Sequence, residues 1–79
     1  MANRKQVLEI ISHAIDVDTK LLTDDVSIGD LPEWDSIGNL AIITAIEQEL
    51  QIEIPLEDLF ELTSIGSIIE EVDKLVKDD

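Results

Sequence analysis

The pair Asp35-Ser36, set immediately before an apolar-periodic run, combines the residue types and spacing in this sequence best suited to chemistry. A serine hydroxyl in the first turn of a helix lies among backbone N–H groups that have no intrahelical partner, at the positive end of the helix dipole. A phosphate esterified to that hydroxyl is electrostatically stabilised. Asp35 is expected at the N-cap, where its carboxylate accepts one of those N–H bonds. The same two residues also suit a plain helix start, because Asp and Ser are among the commonest N-caps.

Other chemistries fail on the residues they need. A nucleophilic triad requires a base oriented on the serine, yet the sole histidine is His13, far upstream of Ser36, and the chain has no Cys and no Tyr. His13 stands beside the apolar face of its segment and reads as a structural boundary residue. Asp16-Val17-Asp18 invites a calcium loop, but Lys20 stands at position five, Leu21 replaces the glycine at position six, and Ser27 replaces the bidentate acid. No metal site is expected. No nucleotide-binding loop matches either, so the chain is not expected to be an enzyme by itself.

Charge narrows the partners. The net charge is −14 over 79 residues, and between Leu21 and Asp73 there are fourteen acids and no Lys or Arg. Such a field repels nucleic acid and anionic membrane surfaces and favours proteins with basic docking patches. No apolar run is long enough to span a membrane, and no secretory leader pattern opens the chain. With cysteine also absent, the expected setting is cytoplasmic, and any thiol chemistry must come from a prosthetic group.

The elements that must position Ser36 follow from periodicity. Asn3 to Ile15 reads as a helix with Asn3 as N-cap and Val7, Leu8, Ile11, Ala14 and Ile15 facing the core. From Asp16 to Trp34 runs a long connection whose aliphatics, Leu21, Leu22, Val26, Ile28 and Leu31, are expected to tuck against the helices. That length suggests a crossover between two roughly parallel helices. Trp34 either packs on the loop or serves as a partner contact.

The helix after Ser36 places Ile42, Ile43, Ile46 and Leu50 on one arc, with Asn39 inside it, so a buried amide there needs a partner. Ile37, Leu40 and Ala41 fall on the opposite side beside Ser36 and form an apolar patch, flanked by Glu47, that suits docking. Pro55 ends the Ile52–Ile54 stretch. Leu56 to Glu61 then reads as a short helix with Phe60 as a core anchor. Thr63-Ser64 offers an N-cap for a last helix with Ile65, Ile68, Ile69, Val72, Leu75 and Val76 in a core stripe, ending in Lys77-Asp78-Asp79. The expected fold is all-α: one small domain over residues 1–79, a four-helix bundle of three longer helices and one short one, with a long loop between the first two.

Asp35-Ser36-Ile37-Gly38-Asn39-Leu40 resembles the Asp-Ser-Leu-x-x-Leu/Val signature of acyl carrier proteins and related thiolation domains, with Ile37 in the Leu place and Leu40 in register. The run from Ala45 to Pro55 is similar to that family's second helix and its exit into an Ile-Pro turn, and the likeness extends from about residue 3 to residue 77. The resemblance implies a 4′-phosphopantetheine arm on Ser36, donated by coenzyme A through a phosphopantetheinyl transferase, with acyl or aminoacyl groups held on the arm's thiol as thioesters. It also implies a monomer that delivers cargo to loading and acyl-handling enzymes, recognised through Leu40 and Glu47 on the second helix.

Two departures bear on the pathway. Gly38 stands where fatty-acid carriers commonly have an acidic or polar residue, and Ala41 where they commonly have Glu. Gly38 also lowers helix propensity by roughly 1 kcal/mol relative to Ala. These departures suggest a dedicated carrier for a polyketide, peptide, lipid or polysaccharide system and not general fatty acid synthesis. The competing expectation is an acidic helical adaptor with no prosthetic group, which accounts for the charge and the patch but not for the signature and Ile-Pro exit together.

Overall fold

The computed structural model describes residues 4–76. Their regular elements are α1 (Arg4–Ile15), a 3-10 turn (Thr19–Leu21), α2 (Ser36–Leu50), a 3-10 helix (Leu56–Glu61) and α3 (Ile65–Val76). This is the small helical bundle of three longer helices and one short one. The proposed N-cap Asn3 and the charged end Lys77-Asp78-Asp79 lie outside the described residues.

Apolar spacing accounts for the helices. In α1, Val7, Ile10, Ile11 and Ile15 are buried; Ile10 extends the stripe read from the sequence by filling the position three residues after Val7. The helix stops where Asp16 adopts a left-handed φ of 58°, which lets the Val17 N–H donate back to the Ser12 carbonyl at 3.1 Å. In α2 the buried residues are Ile42, Ile43 and Ile46, as their arc predicts. It ends in the same manner at Gln51, φ 54°, whose N–H donates to the Glu47 carbonyl. The stripe of α3 buries Ile65, Ile68 and Val72.

The crossover differs from expectation, because α1 and α2 are antiparallel. A Cβ on Gly38, in the first turn of α2, would lie 3.3 Å from Cγ2 of Ile15 at the end of α1. Glu9 and Ile10 of α1 meanwhile share a groove with Ala45 and Glu49 in the later part of α2. The long connection is therefore an excursion and not a crossing. It runs back along α1, where Thr19 and Lys20 sit beside Leu8, and reaches an ion pair between Asp24 and Arg4 at the helix start. It then returns to Ser36.

On its way the loop caps α3. The Asp24 carbonyl accepts from Gly66 N–H at 3.1 Å and the Val26 carbonyl from Ile65 N–H at 2.9 Å, satisfying two donors of the first turn. Ser64 Oγ takes a third, from Ser67 N–H at 3.2 Å, which is the N-cap role expected of the Thr63-Ser64 pair. Leu22 and Trp34 are buried, and Val26, Ile28 and Leu31 pack partly against the core.

Two apolar residues expected to pack inward do not. Leu21 is 51% exposed, because the 3-10 turn directs Leu22 into the core and its neighbour outward. Phe60 is 84% exposed and is not a core anchor. A 3-10 helix has three residues per turn, so Leu59 stacks in line with buried Leu62 and Phe60 is turned a third of a revolution away. The short segment buries none of its own residues fully.

Candidate functional site

Ser36 is the first residue of α2, and its N-cap is Asp35, in extended backbone at φ −103°. Asp35 Oδ1 accepts the Gly38 N–H at 2.8 Å, which holds the helix start in place. Ser36 is exposed, and among the described residues its hydroxyl makes no hydrogen bond. An esterified phosphate therefore fits: the oxygen is free, nothing covers it, and first-turn N–H groups with the helix dipole behind them favour an anion.

Below this turn lies a buried support. Trp34 is fully buried, and its indole Nε1–H donates to Asn39 Oδ1 at 3.0 Å. Of the two expectations for Trp34, packing is the one observed. The same bond supplies the partner that the half-buried Asn39 amide requires. The Trp34 carbonyl in turn accepts from Gly29 N–H at 2.8 Å, where Gly29 takes φ 93°, a conformation glycine adopts without strain.

Gly38 has a steric reason that sequence spacing did not reveal. A Cβ at this position would stand 2.4 Å from the Glu33 carbonyl oxygen, so the loop's return strand passes too close to α2 for any side chain. The glycine that weakens helix propensity is what lets the loop end seat against the helix that carries Ser36.

The patch beside Ser36 is open. Ile37 is 78% exposed, Leu40 60%, and Ala41 is also exposed. Glu47 is half-buried, and its Oε2 accepts the Ile54 N–H at 2.8 Å, tying the Ile-Pro exit back to α2. That structural role was not legible in spacing. His13 is exposed on the groove between α1 and α2, with Ala14 and Ala45 beside it.

A carboxyl pair links the 3-10 helix to α3. Glu71 is raised above its ordinary value of 4.5, first by a side-chain hydrogen bond with Asp58, then by burial and by the Asp58 charge. Glu71 Oε2 is buried and has no donor, since Asp58 offers only acceptors unless one of the two carboxyls keeps a proton. Glu61, Glu70 and Lys74 surround the pair.

Among the described residues no helix is long and apolar enough to cross a membrane. A family model for the phosphopantetheine attachment site matches residues 5–72. The chain is similar in fold to the solution NMR structure of the holo acyl carrier protein from Geobacter metallireducens, with a TM-score of 0.85 and 27% identity over 98% of this chain and 88% of that one. Members of this family carry acyl groups and do not catalyse; they are served by phosphopantetheinyl transferases and acyl-handling enzymes. With the family model spanning most of its length and the helical fold shared, the chain belongs to the acyl carrier protein family, as a carrier with covalently bound 4′-phosphopantetheine and not as an enzyme.

Proposed function

We propose that Ser36 is the attachment point and that the chain delivers acyl or aminoacyl groups to the enzymes of a specialised biosynthetic pathway. The observation that carries this reading is the exposed, unbonded Ser36 hydroxyl at a capped helix start, with Ile37 and Leu40 exposed beside it. A phosphopantetheinyl transferase would move phosphopantetheine from coenzyme A onto Ser36: Oγ gives up its proton and bonds to the phosphorus nearest the pantetheine, the pyrophosphate bond of coenzyme A breaks, adenosine 3′,5′-bisphosphate leaves, and a phosphodiester remains. The arm supplies a thiol that holds cargo as a thioester, chemistry the cysteine-free chain cannot supply itself.

The chain's own residues position and present that site. Asp35 fixes the first turn through Gly38, and the Trp34–Asn39 bond seats the loop beneath it. Ile37, Leu40 and Ala41 form the docking face, and Glu47 borders it while holding the exit of α2. The acidic middle of the chain draws in partners with basic patches, in a salt-dependent way. In this reading residues 1–79 are one monomeric carrier domain acting in the cytoplasm, with no role for nucleic acid or membrane insertion.

The specialised pathway is inferred from Gly38 and Ala41, which leave the head of α2 without the charges common in fatty-acid carriers. Ser36→Ala is the test of attachment, since it removes the nucleophilic oxygen and leaves the Asp35 cap in place.

A further inference from the structure

The space beneath the attachment turn is filled. Trp34, the largest side chain of the core, is fully buried there, and its indole N–H is tied to Asn39 Oδ1 of α2 at 3.0 Å. An acyl chain entering the bundle beside Ser36 must displace that indole, which would bring its apolar faces into water and leave the Asn39 oxygen without its donor.

The rest of the core offers little room in exchange. Nine of its fourteen buried residues are Ile and two are Val, most of them on the three long helices, where a β-branched side chain is held to one favoured χ1 rotamer and cannot swing aside. Adaptable fillers are missing: among the described residues there is no methionine, and Phe60 lies outside the core. Extra methylenes forced between such residues would overpack them and destabilise the fold.

We infer that cargo on this carrier stays outside the helical bundle, and that its class is therefore the short or polar acyl groups, aminoacyl groups among them, and not long alkyl chains. A long chain left outside keeps its apolar surface in water and draws molecules together through it, whereas an aminoacyl group stays solvated without that penalty. This inference rests on Ser36 being the attachment site.

Trp34 is the only tryptophan, so its indole N–H gives a single resonance that reports on the bond to Asn39. The experiment loads the protein from acetyl-, octanoyl- and dodecanoyl-coenzyme A with a broad-specificity phosphopantetheinyl transferase, and intact mass first confirms one acyl-phosphopantetheine per chain. The indole resonance is expected at the same position in all three forms. Retention on a phenyl resin is expected to rise with each lengthening of the acyl chain, because the added methylenes remain open to contact.

An indole resonance that moves progressively with chain length would overturn the inference, since it puts the acyl chain against Trp34. Equal retention of the three forms would overturn it as well, since the chain is then sheltered. A folded protein that takes up no acyl-phosphopantetheine, or a Ser36→Ala variant that takes up as much, would instead remove the attachment reading on which the inference rests. Intact mass distinguishes the two failures.

Discussion

The indole N–H of Trp34 donates to the side-chain oxygen of Asn39 at 3.0 Å, joining the last stretch of the long loop to the first turns of the helix that begins at Ser36. Both partners lie out of water, Trp34 wholly and Asn39 in part, so neither polar group has a ready alternative. The site is thus seated on the core.

Trp34→Phe is expected to destabilise the protein by roughly 2 kcal/mol, from lost packing and an Asn39 oxygen left without its donor. Thermal denaturation followed by circular dichroism checks this. Asn39→Ala should cost less, about 1 kcal/mol, because Trp34 remains in place. A Trp34→Phe protein melting with the wild type would show that the bond contributes nothing.

Gly38→Ala separates local propensity from tertiary constraint by sign. Propensity alone predicts a gain of about 1 kcal/mol. The new Cβ would meet the Glu33 carbonyl at 2.4 Å, and forcing the loop away should outweigh that gain by roughly 1–3 kcal/mol. Denaturant titration decides it: a midpoint raised by the alanine would contradict the close approach.

At neutral pH, Glu71→Gln is expected to raise the melting temperature. The folded protein holds the Glu71 proton more tightly than the unfolded chain, because the folded-state value lies above the ordinary 4.5. The contribution of the pair is therefore complete below that ordinary value and is lost as pH rises through the elevated one. Glutamine keeps a permanent donor for Asp58 at every pH. The advantage of the variant should accordingly shrink as the solution is acidified toward the ordinary carboxyl range. A wild type at least as stable as the variant at neutral pH would rule out the shared proton.

The pathway proposal has its own test. A ketosynthase of general fatty acid synthesis is expected to elongate the acylated protein at least about tenfold more slowly than its usual carrier, a difference of about 1.4 kcal/mol in transition-state stabilisation. Equal rates would assign the chain to general synthesis.

What the sequence shows of this molecule depends on how local the cause is. The Asp35 cap, the α2 arc of Ile42, Ile43 and Ile46, and the α3 stripe arise from helical periodicity and near-neighbour hydrogen bonds, so they are legible in spacing. The outward turn of Phe60 was not, because either of the adjacent apolar residues Leu59 and Phe60 could face the core of a short helix, and it is tertiary packing that turns Leu59 inward. The need for Gly38 arises from a carbonyl five residues away folding back, and Glu47 binds Ile54 only because α2 ends in a left-handed turn at Gln51. The antiparallel pairing of α1 and α2 was hidden for the same reason. A long loop can cross between helices or run out and back, and the bonds of Asp24 to Arg4 and Gly66 that decide between these are tertiary.

The most direct test of the central claim is intact mass after incubation with coenzyme A and a broad-specificity phosphopantetheinyl transferase, with Ser36→Ala alongside. One added phosphopantetheine is expected on the wild type and none on the variant. A folded wild type that gains nothing from any transferase, or a Ser36→Ala protein that gains the same mass, would contradict it.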